Sequence, residues 1–219
     1  MSGLARPRIA VIDYGAGNLV SIEQALTRVG SDVTIAREPE AFQDADAVIV
    51  PGVGAAAPAM ARLDRRGLTG PIVAWIAADR PFLGICLGLQ LLFEGSDEDG
   101  ATTFGVLAGR TARLEEAPTL PHIGWNQVER EVDDPLFTGI PPRADCYFVH
   151  SYAGVPADPS VVVARTTHGR PFVSALRRGR LAGVQFHPER SGADGLRLLA
   201  NFVAEVRAVS DRAPVETSA

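Results

Sequence analysis

Apolar residues in this chain fall into short runs that alternate with stretches of helical spacing. Residues 8–13 form an apolar run ending at Gly15-Ala16-Gly17-Asn18, after which Leu19, Ile22, Ala25, Leu26 and Val29 recur along one helix face. The pattern predicts strand, loop, helix. Residues 32–36 and 46–50 are two more β-branched runs, the second expected to stop at Pro51-Gly52-Val53-Gly54. Residues 68–78 carry a helical pattern, and 82–85 form a compact strand followed at once by a helix over 87–93. Short apolar strands alternating with helices imply a parallel sheet covered on both faces.

The second half changes character. Residues 110–114, 124–131, 146–149, 161–165, 172–177 and 181–186 are strand candidates with little helix between them, and they are expected to extend the sheet by antiparallel hairpins. An amphipathic helix over 193–206 returns to the sheet, while 210–219 has too few apolar residues to pack and is expected to be a disordered tail. The fold class is α/β: one domain, residues 1–209, with a mostly parallel central sheet flanked by helices and an antiparallel extension.

Composition narrows the chemistry. With 46% hydrophobic and 21% charged residues, the 219-residue chain has the balance of a globular protein, and its net charge of −5 gives no basic footprint for nucleic acid. All 21 basic residues are arginine, which removes every mechanism that needs a lysine nucleophile, Schiff base or Walker A cation. Residues 1–8 lack an apolar signal core, and no stretch approaches the roughly 18 apolar residues of a membrane span, so a cytoplasmic protein is expected. Two cysteines are too few for a disulfide framework. His122, His150 and His168 show no zinc-ligand spacing, and neither metal nor cofactor is assigned.

Gly84-Ile85-Cys86-Leu87-Gly88 lies where a buried strand meets a helix, the context of a nucleophile elbow. Small residues are needed there because strand and helix approach closely, and the helix N-terminus favours a thiolate while the Leu87 amide can face an oxyanion. A thiolate needs a base, and only His187 sits at a strand end beside a carboxylate, in Gln185-Phe186-His187-Pro188-Glu189. In an extended segment Glu189 would share a face with His187 and fix its tautomer. Pro51-Gly52-Val53-Gly54 can bring a second backbone amide close to a tetrahedral intermediate. Gln90, four residues after Cys86, is placed to hold a polar substrate near the thiol. Cys146, in an apolar strand, reads as structural. His150 either lines the substrate pocket or serves the core.

With these groups placed, the chain resembles the class I (triad) glutamine amidotransferases over nearly its whole length. The motifs Ile12 to Leu19, Val50 to Ala55, Gly84 to Glu94, Ile123 to Asn126, Tyr147 to Tyr152 and Gln185 to Glu189 are, more narrowly, similar to the glutaminase subunits of imidazole glycerol phosphate synthases. The resemblance implies that Cys86 attacks the side-chain amide of glutamine and that water then hydrolyses the glutamyl thioester. It implies a (βα)8-barrel cyclase as partner, to which ammonia passes in histidine biosynthesis. By motif position, Val53 and Leu87 would supply the oxyanion amides, Gly54, Gln90, Ser151 and Tyr152 would hold glutamine, and Asn18, Trp125, Tyr147 and Arg190 would lie toward the cyclase. Arg190 stands where the family usually has lysine, Ser191-Gly192 replaces Ser-Ser, and Ala55-Ala56-Ala57 replaces bulkier or glycine residues.

Other readings stay open at this point. Gly15-Ala16-Gly17 after a first strand invites a dinucleotide site, but Val20 stands where that fingerprint wants a small residue. A cysteine peptidase or another hydrolase with the same triad, or a different glutaminase of the class, also fits the catalytic residues.

Overall fold

The runs Ala47–Gly52 and Phe82–Cys86 have no exposed residue at any position, as a strand covered on both faces requires. In the computed structural model, which describes residues 5–210, they are β3 and β4 at the centre of a nine-stranded sheet. The strands are β1 (Arg8–Ile12), β2 (Asp32–Ala36), β3, β4, β5 (Gly95–Ser96), β6 (Gly109–Arg113), β7 (His122–Arg130), β8 (Arg143–His150), β9 (Tyr152–Pro156), β10 (Val162–His168), β11 (Arg170–Arg178) and β12 (Leu181–Val184). The helices are α1 (Leu19–Arg28), α2 (Ala56–Arg65), α3 (Thr69–Ala77), α4 (Leu87–Gln90) and α5 (Gly192–Ser210).

The large sheet runs β2-β1-β3-β4-β12-β11-β10-β7-β8. Strands β2, β1, β3, β4 and β12 are parallel neighbours, and from β12 outward every pairing is antiparallel. Alternation along the central strands divides the core into two layers. Ile9, Val11, Ile49 and Leu83 pack with Ile22 and Leu26 of α1 and Leu199 and Phe202 of α5. Ala10, Ile12, Val48 and Phe82 face the other way, with Leu63 of α2 and Ile72 and Trp75 of α3. No helix among the described residues is long and apolar enough to cross a membrane.

Several sequence expectations need correction. Strand β3 does not stop at Pro51: Pro51 and Gly52 pair with Ile85 and Cys86. The ladder to β1 ends at Ile49, so beyond it only the β4 side remains paired. The helix after Cys86 is a single turn, closing at Gln90, and β12 ends at Val184 rather than Phe186. The candidate at 110–114, β6, does not extend the main sheet but forms a second one with β5 and β9. Of the tail expected over 210–219, Ser210 is instead the last residue of α5, and 211–219 lie outside the described residues. Residues 56–65 form a helix, α2, that the sequence pattern does not predict; burial of Ala56 in its first turn accounts for one of the three alanines after Gly54, and nothing in the structure explains Ala55 and Ala57.

The strand-to-helix junction at Cys86 depends on close approach. A Cβ at Gly84 would lie 2.6 Å from the Gly88 carbonyl oxygen, and a Cβ at Gly88 would run into the Val50 carbonyl oxygen. Both obstacles are backbone and cannot swing away. Gly88→Ala is therefore expected to destabilise the fold by about 3 kcal/mol, as overpacking at rigid neighbours does, and a urea midpoint unchanged from the parent would contradict this packing.

Candidate active site

Cys86 adopts φ 55° and ψ −108°, a backbone conformation that L residues rarely occupy. It is the last residue of β4 and the residue from which α4 departs, so the elbow expected from its neighbours is present. Its sulfur lies 4.0 Å from the Val149 carbonyl oxygen and 3.6 Å from the side-chain nitrogen of Gln185.

His187 leaves the end of β12, the strand paired in parallel with β4, so the two motifs emerge side by side at one sheet edge. Its Nδ1 lies 2.9 Å from Glu189 Oε1, and both side chains are buried. The pairing is as expected but the backbone is not. Pro188–Arg190 is a turn of 3-10 helix rather than extended chain, so the turn, not a two-residue strand repeat, brings Glu189 back to the ring. Burial alone would lower the His187 pKa, but Cys86 and Glu189 outweigh it and push it up to about 10. Nε2 of His187 and Oε2 of Glu189 make no hydrogen bond within normal limits.

Residue 53 is the first beyond the register pair Gly52–Cys86, so Val53 and Leu87 follow directly from adjacent strands. Gly52 has to be glycine: a Cβ there would strike the Tyr14 hydroxyl and come to 3.0 Å from Leu87 Cβ. Tyr14 was not singled out by sequence. Its hydroxyl is buried without a partner, and burial followed by nearby Cys86 keeps the phenol protonated.

A cavity of about 140 Å³ opens over Cys86 and is lined by Gly54, Gln90, Ser151 and Tyr152, all four of the expected substrate residues. Glu98 also lines it, a carboxylate that periodicity could not have found because it lies on a loop 12 residues beyond the cysteine. Gln90 Nε2 donates to the Tyr152 carbonyl at 2.7 Å and to Gln185 Oε1 at 3.1 Å.

The comparisons with known proteins agree with this geometry. The family model for class-I glutamine amidotransferases matches residues 10–206. The imidazole glycerol phosphate synthase subunit HisH of Chloroflexus aurantiacus is 49% identical over 209 residues, 93% of this chain and 99% of that protein. The HisH subunit of Thermosynechococcus vestitus is 49% identical over 208 residues, covering 93% and 100%. The chain belongs to the class-I glutamine amidotransferases. Among solved structures, PurLQS from Thermotoga maritima matches with a TM-score of 0.74 at 20% identity, covering 92% of this chain and 99% of that one. A crystal structure of a glutamine amidotransferase gives 0.72 at 20% identity, covering 91% and 98%. At such identities the likeness is one of fold.

His150 lines the amidotransferase cavity and also joins a buried polar chain, so its two readings both hold. Asn126 Oδ1 accepts from the Gln127 amide, so its Nδ2 is the end that donates to Thr167 O and to His122 Nε2. That fixes His122 as the Nδ1–H tautomer, donating to His150 Nε2 at 3.2 Å, and leaves His150 Nδ1–H to donate to the Tyr152 carbonyl. His168 stacks on His122 with ring centroids 4.1 Å apart. Burial first, then the neighbouring charge of His168, lowers the His122 pKa to about 4. Burial first, with the charges of His122, His168 and His187 added and the bond to Tyr152 opposing, lowers that of His150 to about 3.

The four residues placed toward a partner do not all meet. Trp125 is 58% exposed and meets Tyr147 edge-on at 6.2 Å, while the Arg190 guanidinium lies 3.9 Å over the Tyr147 ring. This stacking is open to a planar guanidinium, which accounts for arginine at that position. Gly192 adopts φ 60°, a conformation that favours glycine over the usual serine. Asn18 instead uses its side chain to cap α1, accepting from Ser21 N at 3.3 Å.

These histidines give the amidotransferase a two-sided pH dependence. His122 and His150 have folded pKa values below the ordinary 6.5, so the stability they allow is complete above pH 6.5 and is lost as pH falls toward 4 and 3. His187 is raised, so its contribution is complete below pH 6.5 and is lost as pH rises through 10. Each limb is expected to approach about 1.4 kcal/mol per pH unit per group. Urea denaturation from pH 4 to 10 checks this, and His187→Gln should flatten the alkaline limb alone.

Proposed function

We propose that this chain is the glutaminase subunit of an imidazole glycerol phosphate synthase, with Cys86 as nucleophile, His187 as base and Glu189 as the group that orients it. The observation that carries the proposal is the strained Cys86 elbow beside a buried His187–Glu189 pair, opening into a cavity lined by Gly54, Gln90, Ser151 and Tyr152. In the proposed reaction His187 holds the Cys86 proton as an imidazolium and the sulfur attacks the carboxamide carbon of glutamine. The amides of Val53 and Leu87 stabilise the oxyanion. The C–N bond then breaks, the nitrogen takes the proton from the His187 imidazolium, and ammonia leaves a glutamyl thioester on Cys86. Water deprotonated by His187 attacks that thioester, releasing glutamate and restoring the thiol. Glu98 is the carboxylate at the cavity to pair with the α-ammonium of the substrate.

The proposed partner is a (βα)8-barrel cyclase that receives the ammonia, in the cytoplasm, during histidine biosynthesis. Two observations support it. The relatives are themselves named synthase subunits. Trp125, 58% exposed, and Ile123, 60% exposed, lie on β7 beside the Tyr147–Arg190 stack, and large exposed apolar side chains of this kind anchor interfaces.

Cys86→Ala is expected to abolish glutamate release from glutamine while leaving the fold and the docking intact, because a small residue still fits the elbow. His187→Ala should lose more activity than Glu189→Ala, since orienting the base is the smaller task. Retained hydrolysis by Cys86→Ala would overturn the assignment. Trp125→Ala is expected to weaken cyclase binding by about tenfold or more, read by calorimetric titration, and an unchanged affinity would move the interface elsewhere.

A further inference from the structure

Gln185 is fully buried between the Cys86 sulfur and Gln90. It is the first residue beyond β12, and its backbone amide is held by the Ser174 carbonyl at 2.9 Å. We propose that Gln185 is the resident hydrogen-bond donor to the Cys86 sulfur, stabilising the thiolate and tying it to the side chain that contacts the substrate. The inference rests on the reading of Cys86 as nucleophile.

The direction of each bond follows from chemistry. The Tyr152 carbonyl can only accept, so the Gln90 atom 2.7 Å from it is the amide nitrogen. That same nitrogen is 3.1 Å from the Gln185 side chain, which must therefore present its oxygen there. The other end of the Gln185 carboxamide, 3.6 Å from the Cys86 sulfur, is consequently its NH₂. Turning the carboxamide over would set NH₂ against NH₂ and oxygen against sulfur, losing two buried bonds at once.

The sulfur has a second neighbour with the opposite preference. The Val149 carbonyl, 4.0 Å away, can accept from a thiol but repels a thiolate. The Gln185 amide gains when the proton leaves, because an ionised acceptor makes the stronger bond. The same chain of bonds consumes both hydrogens of the Gln90 amide, so Gln90 offers the substrate only its oxygen. A substrate contacting Gln90 must therefore present an N–H donor.

The test is the pH dependence of Cys86 alkylation by iodoacetamide, followed by mass spectrometry in the full chain. In Gln185→Met, which keeps the volume and removes the donor, the alkylation midpoint is expected to rise by about one pH unit, with kcat falling at least tenfold in the cyclase complex. Gln185→Glu, which places a carboxylate oxygen against the sulfur, should raise the midpoint further. Folded variants with unmoved midpoints would overturn the proposal. Should both variants fail to fold, the wild type decides: the Gln185 side-chain ¹⁵N resonance must shift across the Cys86 titration and must not do so in Cys86→Ala. A resonance indifferent to that titration also overturns it. The underlying reading fails separately, by hydrolysis surviving in Cys86→Ala.

Discussion

Everything at this site depends on one backbone constraint, the positive φ of Cys86. A residue in that conformation is strained by roughly 1–3 kcal/mol and persists only where its surroundings leave no alternative. Here the surroundings are β3 on one side and α4 above, packed so tightly that a Cβ at Gly84 or Gly88 would first meet backbone. The parallel register Gly52–Cys86 then sets the oxyanion loop level with the nucleophile, and the pairing of β12 with β4 sets the base beside it. The strained elbow and the pairing of its two neighbouring strands together place three loops. None of the three needs to be rigid in itself, because each leaves a strand whose position is fixed by its neighbours.

The site is also a store of buried polar groups, which cost stability unless each finds a partner. The cost is limited by keeping most of them neutral and directional. His122 and His150 are held as defined tautomers between Asn126 and the Tyr152 carbonyl, and the same carbonyl receives Gln90. The groups left without partners are informative by contrast. His187 Nε2 is unpartnered on the side of Cys86, and the Tyr14 hydroxyl fills the space that a side chain at residue 52 would need.

Strands β1 to β4, the Cys86 elbow and the His187–Glu189 pair were legible in the sequence, because each is written in local pattern: an apolar run, a glycine spacing, a Pro after a His. What was not legible depends on contacts between distant segments. Gln185 sits in a quoted motif, but its role appears only once β12 lies beside β4 and Gln90 reaches across to it. Glu98 comes to the cavity on an irregular loop. The partition of the second half into two sheets turns on β9, a five-residue strand that leaves β8 after a single residue and pairs with β6 instead of continuing. Glu189 meets His187 through a 3-10 turn and not through extended chain, since an X-Pro step is compatible with either.

The exposed aromatic surface and the buried base are not independent parts of this molecule. Tyr147 presents its ring to Trp125 and Arg190 at the surface, yet its carbonyl accepts the His187 amide at 2.9 Å. Its own amide donates to Ser191 Oγ at 3.0 Å, and that hydroxyl donates back to the His187 carbonyl at 2.6 Å. The backbone of His187 is therefore clamped on both sides by one residue of β8, directly and through a buried serine. Ser191 can neither be lost nor lengthened without releasing one of those bonds in a place where water cannot replace it. The surface stack with Trp125 and Arg190 and the backbone support of His187 thus meet in a single residue of β8, Tyr147.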